Sequence, residues 1–277
     1  MAIAVEGTAN RLTTGAGTTF TLDVQCGTNA NRYVIVCFSH QIYNVTISSI
    51  TLNGHAMTST SQQSGTPRLS VYEIKGDSNI ATGTNTISVT IDQDRDSVMG
   101  AIAFSGVDQT TPRQAVTTSN GTSASPSAAS IASTSGETLL GCVVENGQRT
   151  VSSYNNQTSR WFNTGGFGSG VGSTITSTSS SETLTWSLNA SSTWKTAAFS
   201  ITPAAATVTI EQEGFRWRND DGNETTATFA ANQDTSISAG ASTNRRLRVL
   251  LNATGDPSAK LFQLEGKKST DSEWVKI

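Results

Sequence analysis

Histidine, cysteine and proline are scarce in this chain, at two, three and five residues among 277, and charged side chains make up only 14%. Each shortage closes off a class of function. His40 and His55 sit in no His-Glu-x-x-His or comparable spacing, so a zinc hydrolase or a histidine-based triad has little to build on. Eighteen basic residues against 21 acidic ones leave a net charge of −3, with no basic cluster, which argues against a nucleic-acid-binding surface. No apolar run reaches the 18 residues of a membrane span. The opening Met-Ala-Ile-Ala-Val-Glu lacks the basic and apolar regions of a secretion signal. The expectation is therefore a protein made in the cytoplasm, soluble there, with no membrane and no nucleic acid as partner. No Gly-x-Ser-x-Gly elbow occurs despite the many serines and glycines.

The cysteines, Cys26, Cys37 and Cys142, are odd in number and form no Cys-x-x-Cys pair. Cys37 and Cys142 lie inside apolar runs, where a thiol behaves as a small hydrophobe, so buried free thiols are expected rather than a disulfide or a metal site. No metal and no cofactor are expected.

Ser, Thr, Gly and Asn dominate what is present, while the helix formers Leu, Lys and Glu are thin, and this predicts an all-β protein. The clearest strand lies in 97–112. Val98, Ile102 and Phe104 fall on one parity and Met99, Ala101 and Ala103 on the other, the pattern of a central strand covered on both faces. Gly106 and the Asp108 to Pro112 turn chemistry end it. Further strands are predicted at 18–24, 32–39, 45–52, 69–74 and 84–91, with Asn53-Gly54 as a tight turn. The second half echoes the first in order: 85–91 then 101–105 resemble 182–188 then 196–200, and 32–38 resembles 137–143. The architecture expected is one two-sheet, jelly-roll-type sandwich over residues 1–203. Within it, 163–174 carries five glycines, Gly165, Gly166, Gly168, Gly170 and Gly172, and reads as a mobile surface loop.

The spacer Thr202-Pro203-Ala-Ala-Ala-Thr207 leads into a second module, 207–277, whose strands include 208–212, 246–251, 261–265 and 274–277. Here a resemblance emerges. Glu213-Gly-Phe-Arg-Trp-Arg-Asn-Asp-Asp-Gly, Arg246-Leu-Arg-Val-Leu-Leu-Asn-Ala-Thr-Gly-Asp-Pro, Phe262-Gln-Leu-Glu and Glu273-Trp-Val-Lys together resemble a module of tailed-bacteriophage virion proteins. The final part also looks like the middle strands of an immunoglobulin or fibronectin type III domain. Phe104-Ser-Gly-Val-Asp-Gln-Thr-Thr-Pro is similar to a segment of phage and bacterial surface sandwiches. The resemblance implies a place in a virion and carries no catalytic residue across. A fibronectin-like sandwich needs about seven strands, more than 207–277 supplies. The expectation is that a neighbouring subunit covers the incomplete face, through Leu261, Phe262, Trp274 and Val275.

Two candidate acidic sites are weighed. Asp92, Asp94 and Asp96 could share a face as Ca²⁺ ligands or glycosidase acids, but read more simply as a solvated hinge. Asn219 to Glu224 lacks the alternation of a calcium loop and reads as a turn. The function expected is a non-enzymatic structural protein of a phage particle, either a capsid decoration or a tail-associated protein. Its expected partners are other virion proteins and further copies of itself. The alternative is a glycan-binding adhesin or receptor-binding module whose aromatics, Tyr43, Tyr154, Trp161, Phe162 and Trp194, meet a host-surface glycan or another partner. Trp161 and Phe162 read more readily as core anchors.

Overall fold

The computed structural model describes residues 2–13, 17–40, 45–206, 208–223, 225–238, 240, 242–254, 265–266, 272 and 275–276. Every element among them is a β-strand, as the composition predicts. The chain divides into two compact units, Met1–Ala205 and Ala206–Ile277.

The first unit opens with β1 (Ala4–Thr13), β2 (Thr19–Cys26), β3 (Tyr33–His40), β4 (Ile47–Leu52), β5 (His55–Ala56), β6 (Thr58–Gln63), β7 (Arg68–Lys75), β8 (Gly83–Ile91) and β9 (Ser97–Ser105). They form antiparallel sheets ordered β1-β9-β3-β7-β6 and β2-β8-β4-β5. With β5 and β6 taken as two ends of one strand that crosses between the sheets, this is the order of an eight-stranded jelly roll. Asn53 and Gly54, both at positive φ, make the β4–β5 turn.

The pattern then recurs. It uses β10 (Thr117–Ser123), β11 (Ser127–Ala132), β12 (Thr138–Glu145), β13 (Val151–Ser153), β14 (Thr158–Gly165), β15 (Gly168–Thr176), β16 (Ser181–Thr185), β17 (Ser187–Leu188) and β18 (Ser192–Ile201). The sheet β10-β18-β12-β15-β14 matches β1-β9-β3-β7-β6 position for position. The ladders β11-β16 and β13-β17 stand for β2-β8-β4, with the counterpart of β8 interrupted at Trp186. The jelly-roll expectation thus holds, but for two stacked rolls instead of one sandwich, and the echoed sequence segments fall on corresponding strands. The two copies differ in register. Phe104 opposes Tyr33, four residues before Cys37, whereas Phe199 opposes Leu140, two before Cys142. A two-residue slip is the smallest that leaves every side chain on its own face.

Three cores result. Val24, Phe38, Val89 and Met99 belong to the first, between the sheets of the first roll. Leu139, Leu184, Trp186 and Trp194 belong to the third, inside the second roll. The second core lies between the rolls, where the two five-stranded sheets meet over Ile35, Val71, Ile102, Phe104, Leu140 and Phe199. β3 and β9, with β12 and β18, are therefore covered on both faces, which is why they read as unbroken apolar runs. The parity read from 97–105 is borne out: Ile102 and Phe104 lie between the rolls, while Met99, Ala101 and Ala103 fill the first core. β9 packs on β15 and β18 on β7, the reciprocal exchange of two like bodies about a two-fold.

Cys37 and Cys142 are joined by a disulfide across this interface, S–S 2.17 Å and Cα–Cα 6.8 Å. The expected free thiols are thus corrected. Each cysteine does lie in an apolar strand, but the two strands belong to different repeats and meet only because the rolls stack. Cys26 is the buried free thiol, and burial pushes its pKa up to about 11.

The glycine-rich 163–174 stretch is corrected too. Gly165 and Gly166 make the turn, but β15 is a buried strand of the inner sheet. Its glycines serve close approach: a Cβ at Gly168 would strike the Glu145 carbonyl, one at Gly170 the Val98 side chain, and one at Gly172 the Trp161 ring. Glycine in a strand marks such an approach as readily as it marks a loop.

The second unit contains β19 (Thr209–Asn219) and β20 (Arg245–Thr254), paired antiparallel, and β21 (Glu265–Gly266) paired with β22 (Val275–Lys276). Most of the segment on which the immunoglobulin-like expectation rests lies outside the described residues.

Candidate functional site

β19 and β20 make a ladder with two unlike faces. Directly opposed residues of an antiparallel pair share a face. Arg216 opposes Arg248 and Arg218 opposes Arg246, so four arginines share one face, with Leu250 opposite Gly214. Phe215 opposes Val249, Trp217 opposes Leu247 and Gln212 opposes Leu251 on the other. A bulge between Gln212 and Gly214 keeps this alternation in step.

The arginine face is organised by the segment that follows β19. Ala230 N–H donates to the Trp217 carbonyl (2.9 Å) and Asp234 N–H to that of Phe215 (2.8 Å), so 228–234 runs along the outer edge of β19. Phe229 sits among the arginines, its ring centroid 3.5 Å from the Arg216 guanidinium and 5.0 Å from that of Arg218. Cations over an aromatic face are held by the ring quadrupole. Arg216 Nε also donates to the Ala231 carbonyl (3.0 Å), and buried Arg218 donates to the Ala227 carbonyl. Arg246 pairs with Asp220 at 2.5 Å. Asp221 accepts from Thr228, first through the hydroxyl and then through the backbone N–H, and these bonds hold its carboxyl below the usual range. A cavity of about 380 Å³ lies here between Phe229, Gln233, Arg216, Arg248 and Leu250.

With 228–234 on its outer edge, β19 pairs along its inner edge with β20. That strand is where the exposed apolar side chains gather. Leu247, Val249, Leu250 and Leu251 are 38%, 40%, 51% and 44% exposed, and among the described residues the remaining exposed large apolar side chain is Phe229. The first unit exposes none among them.

The residues singled out from sequence fall elsewhere. Trp161 and Trp194 are core residues, at 3% and 6% exposure, and Trp161 thus takes its core-anchor reading. Trp161 lies between the rolls, and Trp194 donates its indole N–H to Ser123 Oγ (3.0 Å). Phe162 and Tyr154 pack on the edge of the third core. Tyr43, Leu261, Phe262 and Trp274 lie outside the described residues, and Val275 is placed on β22 without a described side chain. Asp92 accepts the Thr46 N–H (2.8 Å) and Asp94 that of Gly17, so two of the three aspartates tie neighbouring loops. Asn223 accepts the N–H groups of Thr225 and Thr226, capping the turn read from its sequence. No group of three His, Cys, Asp or Glu side chains among the described residues is placed to hold a metal ion.

Alternation of Leu247, Val249 and Leu251 with Arg246 and Arg248 predicts one wet face and one dry one. The signal that sequence reading passed over is the Leu250-Leu251 doublet, which breaks the alternation and puts an apolar residue on the arginine face. No family model matches the chain, and no curated protein or solved structure does so either.

Proposed function

We propose that this chain is a non-enzymatic structural protein of a bacteriophage particle, an outer-surface capsid decoration of the cement or head-fibre kind or a tail-associated protein. In this reading it is made in the host cytoplasm, assembles as an oligomer and is held by other virion proteins. The observation that carries the proposal is where the apolar side chains go. The first unit spends its tryptophans on its own cores, while the second leaves four apolar residues of one strand in water. A localised exposed apolar patch marks a contact surface. The likeness of 213–222, 246–257, 262–265 and 273–276 to a module of tailed-phage virion proteins supplies the kind of particle. A buried disulfide suits a life spent outside reducing cytoplasm.

The glycan-binding alternative loses support with Trp161 and Trp194 buried in cores. The test is direct. Particles of the phage that encodes this chain, purified on a density gradient, are probed with antibody raised against the isolated protein. The expected result is co-sedimentation at a fixed copy number, with gold label on the particle surface. Abundant protein in the lysate and none on the particles would overturn the reading.

A further inference from the structure

Asparagine followed by glycine is a pair prone to ring closure, because the glycine nitrogen meets no side chain on its way to the asparagine carboxamide. The chain has three such pairs, Asn53-Gly54, Asn120-Gly121 and Asn146-Gly147. Two are held fast. Asn53 donates its side-chain N–H to Asn85 Oδ1 (2.9 Å) and accepts the Thr86 N–H (2.8 Å), so its carboxamide is fixed at both ends. Asn120 and Gly121 lie inside β10, in register with Lys195 and Trp194 of β18. Asn146-Gly147 differs. The pair follows the end of β12 at Glu145, outside any strand, with Asn146 exposed to water. Buried Glu145 accepts the Gly147 N–H on Oε2 (2.6 Å) and that of Arg149 on Oε1 (2.8 Å). Buried Ser192 donates its hydroxyl to Asn146 Oδ1 (3.3 Å). The place a Cβ of residue 147 would take lies 2.8 Å from Ser192 Oγ, 3.0 Å from Arg149 Nε and 3.1 Å from Glu145 Oε2. Arg149 Nε is buried there without an acceptor among the described residues. A carboxylate on the attacking N–H, a hydroxyl on the carbonyl under attack and a guanidinium alongside are the parts of an assisted acyl transfer.

We propose that Asn146 is a site of spontaneous modification, converted to aspartate and isoaspartate through a cyclic imide that Glu145, Ser192 and Arg149 help to form. Gly147 N attacks Asn146 Cγ and gives its proton to Glu145 Oε2. Negative charge gathers on Asn146 Oδ1, where the Ser192 hydroxyl and the Arg149 guanidinium stabilise it. The Cγ–Nδ2 bond then breaks, and the leaving group takes the proton from Glu145 and departs as ammonia. Water adds to either carbonyl of the five-membered ring and opens it. One water is consumed and one ammonia released, with no oxidant or reductant. Either product sets a second carboxylate next to that of Glu145, and isoaspartate lengthens the chain by one backbone atom at the turn into β13. The inference is independent of the proposed function.

The test uses the purified full chain, aged at neutral pH and digested for mass spectrometry, with the three Asn-Gly pairs read side by side. Conversion at 146, seen as a gain of about one mass unit and as separate aspartate and isoaspartate peptides, is expected to run about tenfold or more ahead of that at 53 and 120. In urea all three pairs lose their surroundings, so the rates should converge and that at 146 should fall. Glu145→Gln keeps an acceptor for the backbone but no base, and is expected to slow conversion at 146 about tenfold or more. Ser192→Ala, which removes a donor to the developing oxyanion, is expected to slow it as well. Both variants should keep the circular dichroism of the parent chain. A Glu145 that only clamped the turn would act in the opposite sense, since loosening the clamp frees the amide and speeds ring closure. Conversion at 146 that is slower in the folded chain than in urea, or that is unchanged or faster in Glu145→Gln, would overturn the inference. Should Glu145→Gln fail to fold, the folded and unfolded rates of the parent chain, with Ser192→Ala, decide it alone.

Discussion

The indole of Trp161 occupies the space where a side chain of residue 100 would stand: a Cβ built on Gly100 would lie well inside 3.0 Å of the ring, and one on Gly172 would do the same. Gly100 opposes Cys37 in its ladder and Gly172 opposes Cys142, so the ring fills a slot beside the disulfide. Across the reciprocal contact of β7 with β18, the residues opposite the cysteines are Val71 and Ala197, which bring side chains of their own. At this contact the two-fold likeness of the rolls is broken by one large residue.

Gly100→Ala is accordingly expected to destabilise the first unit by about 1–3 kcal/mol through overpacking, and Trp161→Ala by about 3–5 kcal/mol through the cavity it leaves. The double variant should cost clearly less than the sum, because removing the ring removes the clash. Urea unfolding of the four proteins checks it.

The Cys37–Cys142 bond closes a span of 105 residues. Loop-closure entropy for a span of that order gives about 4–5 kcal/mol in the chain-entropy account. The paired variant Cys37→Ala, Cys142→Ala is expected to keep its β-sheet circular dichroism, since the core between the rolls remains, while its denaturant midpoint falls by a corresponding amount.

Acid should weaken the fold. Glu182 accepts the Thr178 N–H (2.7 Å), the Ser179 N–H (3.0 Å) and the Ser177 hydroxyl (3.1 Å), and these donors, the Thr178 N–H foremost, hold its carboxyl below the usual 4.5. Glu6, bonded by Ser105 and then Asn29, is lowered likewise. The unfolded chain binds these protons more readily, so their contribution is present above pH 4.5 and lost as pH falls through the lower folded values. The melting temperature is expected to drop between about pH 5 and pH 3, with a shallower slope in Glu182→Gln.

Tyr33 donates its hydroxyl to Glu73, which also pairs with Arg113 at 2.6 Å. Burial, and then the Glu73 charge, hold the Tyr33 hydroxyl well above the usual tyrosine range. Its contribution is complete below about pH 10 and is lost as pH rises through the folded value. Absorbance at 295 nm is therefore expected to show this tyrosine ionising only with unfolding. Glu73→Ala, which strands the Arg113 guanidinium, should cost about 3 kcal/mol by the measure of broken buried pairs, less to the extent that water reaches Arg113.

Sequence disclosed the strands with apolar side chains. All six strands predicted in the first half, from β2 to β9, are found, and the parity of 97–105 set Ile102 and Phe104 on the opposite face from Met99, Ala101 and Ala103. Strands made of serine, threonine and glycine escaped notice. β6, β10 and β15 carry too little apolar contrast to show a period of two, and what places them is pairing with β7, β18 and β12. Stacking of the rolls was hidden for a related reason. A strand buried on both faces reads the same whether its second cover is a helix, another sheet or a repeat of itself, so Cys37 gave no sign that Cys142 was opposite. At the candidate site, the pattern of Arg246 to Leu251 showed a strand with a wet face. The place of 228–234 along β19 could not be read, because it rests on backbone bonds from Ala230 to Trp217 and from Asp234 to Phe215.

The segment joining the two rolls, 106–116, lies within the span that Cys37 and Cys142 enclose. A protease that cuts there would release nothing: the severed halves would stay bonded through sulfur and pressed together over a shared apolar seam. One polypeptide would then persist as a covalent pair of its own two rolls, tolerant of a cut in the segment that joins them.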